Sequence, residues 1–166
     1  MIQRSQMKQV HTLAVLVENK AGVLARVAGL FARRGFNIES LAVAPTDDRF
    51  SRITIVADAE SAPLDQITKQ LDKLIDVVDI TELEPSESAL REMVLVRMKL
   101  DDESKVAEVE ALVEGFSGSV VRVRANQMMI SLSSHPVDLD ELILQLRPFG
   151  IAELQRTGAI AIPGIE

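Results

Sequence analysis

The chain has 166 residues, 47% of them hydrophobic and 26% charged, and a formal net charge of −7. That length accommodates one domain or two small ones, and the acidity argues against a general electrostatic affinity for nucleic acid or anionic membranes. Aromatic content is only 3%, without Trp or Tyr, so platforms for stacking bases are missing.

Cysteine is absent, which excludes disulfides, thiolate metal sites and cysteine nucleophiles. Two histidines, His11 and His135, are too few for an ordinary metal cage. No apolar run approaches the length of a membrane span. The opening stretch from Met1 to Lys8 carries positive charge without the hydrophobic core of a secretory signal and reads as a short loose arm. A cytoplasmic location is expected.

Leu13, Val15 and Val17 alternate along a first strand. A helix from about Val23 to Arg34 follows, with Val23, Val27 and Leu30 on its buried face and Arg26 and Arg33 on the other. Gly29 inside this helix costs about 1 kcal/mol relative to alanine, and a close helix–sheet or helix–helix contact is the expected reason for it. A second strand is predicted from Ile38 to Ala44, a turn over Pro45 to Arg49, and a third strand from Ser51 to Ala57. The next helix starts near Pro63, with Leu64, Ile67, Leu71 and Leu74 as its stripe, and a fourth strand spans Val77 to Leu83.

Glu84 to Ser88 reads as a linker, and the same order then recurs. Val94, Val96, Met98 and Leu100 alternate in a strand, and Val106, Val109 and Val113 stripe a helix from Ser104 to Glu114. Strands near Val120–Arg124 and Met128–Ser133 flank a turn at Ala125-Asn126. A helix carrying Leu139, Leu142, Ile143 and Leu146 and a strand near Ile151–Leu154 complete the repeat. The fold class is α+β, as two consecutive βαββαβ sandwiches of about 75 residues each. Helices on one face of each sheet leave the other face open. Leu16, Val56 and Leu95 are apolar at outward positions, so self-association is expected.

The chemistry concentrates at the first strand–helix junction. Gly22 permits close approach of a ligand to the backbone, the helix start offers unsatisfied N–H groups, and Asn19 and Asn37 bracket the helix with neutral amides. Such a site suits the carboxylate and ammonium of a small amino acid, and it holds no nucleophile paired with a base. Ordinary turn chemistry accounts for these residue types about as well. In an antiparallel dimer, the turn of one copy would meet Asn37 of the other. Arg33-Arg34 reads as a solvated helix end, Asp47-Asp48 as a hairpin turn without a metal, and His135 as a loop residue without a catalytic partner. Arg97, Lys99, Arg122 and Arg124 fall on one sheet, either as an ordinary charged face or as a docking patch for a larger protein.

The stretch from Asn19 to Phe31, followed by Arg34-Gly35-Phe36-Asn37-Ile38-Glu39-Ser40-Leu41-Ala42-Val43-Ala44-Pro45-Thr46-Asp47, closely resembles an ACT domain. More narrowly, it is similar to the small regulatory subunits of acetolactate synthase. The similarity continues through Lys69 to Val77 and Arg91 to Val96 and ends around Arg156-Thr157-Gly158. The first half carries the specific motif and the second matches mainly in layout.

The resemblance implies two ferredoxin-like domains: an ACT domain over residues 9–84 for effector binding and dimerisation, a linker over 85–90, and a C-terminal domain over 91–160. It implies a chain without a catalytic site or bound cofactor of its own. The partner would be the large catalytic subunit, which would carry thiamine diphosphate, Mg and FAD. This chain would raise the partner's activity and make it sensitive to valine or a related branched-chain amino acid. The effector positions carried over are Asn19, Lys20, Ala21, Gly22, Val23, Leu24, Asn37 and Ile38. Gly22 and the following N–H groups would hold the carboxylate, the asparagines the polar end, and Val23, Leu24 and Ile38 the side chain. Family members often have Ser or Thr before the glycine, where Ala21 removes a hydroxyl contact.

The main rival is a stand-alone ACT-type amino-acid sensor of another pathway, from which co-purification with a large thiamine-diphosphate enzyme would distinguish it. A small enzyme on a ferredoxin-like sandwich, as in acylphosphatases, lacks a supporting residue set here. An RNA-recognition domain shares the element order but is opposed by the acidity and the missing aromatics.

Overall fold

A computed structural model describes residues 10–58, 63–84, 86–100, 102 and 104–165. The first unit contains β1 (Val10–Glu18), α1 (Val23–Arg34), β2 (Ile38–Pro45), β3 (Phe50–Asp58), α2 (Leu64–Leu71) and β4 (Val77–Glu82). Its antiparallel sheet has the order β2-β3-β1-β4. The second unit repeats the plan with β5 (Ser88–Lys99), α3 (Ser104–Gly115), β6 (Ser119–Arg124), β7 (Gln127–Ser134), α4 (Pro136–Leu146) and β8 (Ile151–Arg156). Its sheet order is β6-β7-β5-β8, which is the same topology. The fold is thus the expected tandem of two α+β sandwiches.

Alternation dictates which face of each sheet takes the helices. In the first unit, Leu13, Val15 and Val17 of β1 and Ile53, Ile55 and Ala57 of β3 form a buried floor, on which Val27, Leu30 and Phe31 of α1 and Ile67 and Leu71 of α2 pack. In the second unit Val94, Val96, Met98, Met128, Ile130 and Leu132 play that part, against Val109 and Val113 of α3 and Leu139, Leu142 and Leu146 of α4. Each such fully buried aliphatic side chain stabilises the fold by about 1.5–3 kcal/mol. The helix ends follow local chemistry. Gly35 closes α1 in a left-handed conformation (φ 70°), donating its N–H to the Ala32 carbonyl. His135 precedes α4 and accepts the Val137 N–H on Nδ1 at 3.4 Å, a capping role without catalytic geometry.

Three expectations are corrected. Gly29 answers no close contact: a Cβ there would meet only the Arg33 guanidinium at 3.4 Å, an ordinary van der Waals distance to a flexible group. The predicted linker is shorter, because β5 already begins at Ser88; of the stretch before it, Pro85 lies outside the described residues. A further strand follows the repeat, β9 (Ile160–Pro163), which pairs with β5. Beside it the Gly164 N–H donates to the Glu87 carbonyl at 2.6 Å. The N-terminal arm read from sequence lies mostly outside the described residues.

The outward face of the first sheet carries small residues at its centre. Thr12, Ala14 and Thr54 are buried there, with Leu16 and Val56 half-buried beside them. By register, Thr54 stands between Ala14 and Ala42.

Candidate functional site

β1 delivers the chain to the turn Asn19-Lys20-Ala21-Gly22, and α1 begins at Val23. The turn is anchored by its backbone: the Asn19 N–H donates to the Arg49 carbonyl (2.8 Å) and the Lys20 N–H to the Glu18 carbonyl (2.9 Å). Gly22 sits at φ 86°, ψ −8°, a left-handed conformation that a side chain would strain. No side chain caps the helix here. The Val23 N–H donates to the Lys20 carbonyl at 3.4 Å and the Arg26 N–H to the Gly22 carbonyl at 3.0 Å, which leaves the Leu24 and Ala25 N–H groups without an acceptor within the helix, and the dipole adds partial positive charge at this end.

Side chains around the turn sharpen its electrostatics. Arg26, one helical turn on, leans back over it, and its Nη1 lies 3.3 Å from where a Cβ on Gly22 would stand. The same guanidinium donates from Nε (3.0 Å) and Nη2 (2.6 Å) to Oδ2 of Asp76. Asp76 is buried, and its carbonyl accepts the Glu18 N–H at 2.9 Å, which ties the start of β4 to the end of β1. Lys20 reaches Glu18 at 2.5 Å, and this hydrogen bond holds its ammonium above the usual lysine range. A helix start without a side-chain cap is a general place for an anion, and the arginine above this one shares its charge with the Asp76 carboxylate. Arg26 and Asp76 are 50 positions apart, and sequence reading placed Arg26 only on the outward face of the helix, without a link to the glycine turn or to Asp76.

The other predicted residues divide by location. Val23 is buried at 3% exposure and belongs to the core, so what it turns toward the turn is its backbone. Ile38 is half-buried and packs on the same core, whereas Leu24 is exposed at 39%. Asn19, Lys20 and Ala21 are exposed.

Asn37 stands at the opposite end of the sheet. Its carbonyl accepts the N–H of Asp58, which is level with Val10, while the Gly22 turn adjoins Arg49 and Phe50, level with Glu18. The length of β1 separates these levels, roughly 25–30 Å. One copy therefore does not bring Asn37 to its own Gly22 turn. The Asn37 amide donates to Glu39 Oε1 at 2.7 Å.

The remaining sequence candidates have structural explanations. Asp47 accepts the N–H groups of Arg49 (2.7 Å) and Phe50 (2.8 Å) on one oxygen and shapes the hairpin. Arg33 and Arg34 fill the last turn of α1, where the dipole favours cations. Among the described residues no three His, Asp or Glu side chains come together as a metal site. None of the helices there is long and apolar enough to cross a membrane.

The second unit has a corresponding junction between β5 and α3, and it is built differently. The Asp102 carboxylate accepts the Ser104 N–H at 2.9 Å, and that backbone hydrogen bond holds its pKa below the usual aspartate value. The helix start is already occupied by the protein's own anion.

A tandem of ferredoxin-like units, the first with an uncapped glycine turn at the head of α1, defines a two-domain protein of the ACT class. A family model described as an AHAS small subunit-like ACT domain matches residues 13–79, and one described as the small subunit of acetolactate synthase matches residues 91–164. The acetolactate synthase small subunit of Mycolicibacterium smegmatis is 46% identical over 153 residues, covering 92% of this chain and 89% of that protein. A probable acetolactate synthase small subunit of Archaeoglobus fulgidus is 44% identical, covering 92% and 95%. The crystal structure of the acetolactate synthase small subunit from Thermotoga maritima superposes with a TM-score of 0.85 at 33% identity, covering 95% of this chain and 99% of that one. The chain belongs to the acetolactate synthase small-subunit family.

Proposed function

We infer that this chain is the regulatory subunit of an acetolactate synthase. It activates a large catalytic subunit and confers feedback inhibition by valine or a related branched-chain amino acid. The observation that carries the reading is family membership across both halves, over 92% of the chain. Acyl-group chemistry, with thiamine diphosphate, Mg and FAD, belongs to the catalytic partner, and the complex works in the cytoplasm.

The effector binds where two copies meet through their ACT domains. The carboxylate lies on the first-turn N–H groups after Gly22, with Arg26 beside it, and Asn37 of the second copy takes the polar end. Supporting this division are the uncapped start of α1 and the strand's length that separates Asn37 from the turn within one copy. Coupling is a linkage. An effector that binds one arrangement of the dimer more tightly shifts the holoenzyme toward it, by no more than its differential affinity, typically about 1–3 kcal/mol.

Reconstitution of the catalytic subunit with and without this chain, titrated with valine, leucine and isoleucine, tests the reading. Stimulation together with inhibition by at least one of the three is expected. No change in activity and no new inhibition would contradict it.

A further inference from the structure

Four charges surround the Gly22 turn, and they cancel. Glu18 ends β1, Lys20 lies in the turn, Arg26 is in α1 and Asp76 immediately precedes β4. Lys20 pairs with Glu18 at 2.5 Å and Arg26 with Asp76 at 2.6 Å. The pairs also act on each other. The Glu18 hydrogen bond does most to hold the Lys20 ammonium above its usual range, and by charge alone Asp76 raises it while Arg26 lowers it. The Asp76 side chain is only 10% exposed and that of Arg26 48%. A ligand at the turn therefore meets the guanidinium, balanced from within by the carboxylate.

This balance bears on which ligand the turn accepts. Two unpaired cations at a helix start would favour any small anion. With the four charges summing to zero, an anion brings an uncompensated charge to the turn, whereas a zwitterion of the same shape brings none. Asn19 and Asn37 are neutral and add nothing to this discrimination by charge. Glu39, which accepts the Asn37 amide at 2.7 Å, adds a carboxylate at the strand end that a second copy would bring. We propose that Asp76 is a positioning residue that sets effector specificity: by holding and neutralising Arg26, it makes the site select amino acids over 2-oxo acids of the same carbon skeleton. The proposal rests on the reading of this turn as the effector site. An amino acid and its 2-oxo acid share the carboxylate and the side chain, so neither the helix N–H groups nor an apolar pocket separates them. Net charge does.

The test is calorimetric titration of the full chain with valine and, separately, with the 2-oxo analogue of valine, at low and high salt. Asp76→Asn leaves the four groups with a net positive charge, Arg26→Gln leaves a net negative one, and the double variant restores zero. Glu18→Gln makes the same change as Asp76→Asn at a more exposed position, and carries the test where Asp76→Asn does not fold. Wild type is expected to bind valine at least tenfold more tightly than the analogue. That ratio is expected to fall about tenfold in Asp76→Asn and several-fold in Glu18→Gln, with smaller changes at high salt. It is expected to rise in Arg26→Gln and to return near the wild-type value in the double variant. A merely structural tie predicts instead that either single variant loses both ligands together and that the double variant recovers neither. That pattern, or a ratio unchanged in Asp76→Asn and Glu18→Gln, would overturn the role of Asp76 while valine binding by wild type leaves the effector site standing. Wild type that binds the analogue as tightly as valine would do the same. A wild-type chain that binds none of valine, leucine and isoleucine would overturn the effector-site reading and this proposal with it.

Discussion

The two halves of this chain share one topology and differ at the same two places. At the strand–helix junction, the first half leaves α1 without a side-chain cap behind a left-handed Gly22, while the second supplies the Asp102 carboxylate to the head of α3. On the outward sheet face, the first half carries small, buried residues such as Ala14 and Thr54, while the second exposes cations beside Met and Leu. A repeated fold thus carries two different junctions and two different faces: one half leaves its helix start without a side-chain cap, and the other caps its own and exposes a charged face.

The sharpest way to break the comparison is to make the first junction resemble the second. Gly22→Asp would place a carboxylate at the start of α1, and aspartate tolerates a positive φ better than most residues. Binding of valine, measured by calorimetric titration, is expected to fall at least a hundredfold. Asn37→Ala is expected to weaken it about tenfold or more, the scale of one lost buried hydrogen-bonding group, with activation of the catalytic subunit retained in both variants.

The next effect concerns how the second half is held together. Arg156 of β8 bridges Glu92 of β5 and Asp140 of α4, each at 2.5 Å, and Glu92 is buried at 6% exposure. These carboxylates hold the guanidinium pKa above its ordinary value, Glu92 most strongly. Arg156→Met strands Glu92, which among the described residues then keeps the Gly158 N–H as a donor, at 3.1 Å. A loss of about 2–3 kcal/mol is expected in denaturant unfolding. Smaller and opposite in sign, Gly29→Ala is expected to raise the stability of the first half by about 0.5–1 kcal/mol, since a Cβ fits there without a clash.

Asp102 gives the smallest effect. Because its folded pKa lies below the ordinary aspartate value, its cap contributes above that ordinary value and is lost as pH falls through the folded one. Unfolding of Asp102→Asn followed from neutral pH to about pH 2 should therefore show a flatter acid limb than wild type.

Much of the fold was legible because alternation is a direct print of the pleat. The run Val94, Val96, Met98, Leu100 announced both the strand and its buried face, and α1 followed from the Gly22 turn and the stripe Val23, Val27, Leu30. β9 was not legible, since four residues between Gly158 and Gly164 show no period and pair only through a distant strand. The burial of two outward residues of the first sheet was hidden for another reason: Thr12 and Thr54 are polar by type, and residue type alone argues for exposure. At the site, Gly22 and the asparagines declared themselves by residue type, whereas Asp76 is an unremarkable loop aspartate until the sheet sets it against Arg26.

The central claim is that the effector site is shared between copies, with the turn from one chain and Asn37 from another. Mixed dimers test it most directly. Gly22→Asp and Asn37→Ala chains, each expected to bind valine poorly alone, are co-refolded, and the heterodimer is isolated through two affinity tags and titrated. A shared site predicts that the heterodimer recovers one wild-type site per dimer, because both substitutions fall in the other site. Heterodimers that bind no better than either parent would contradict it.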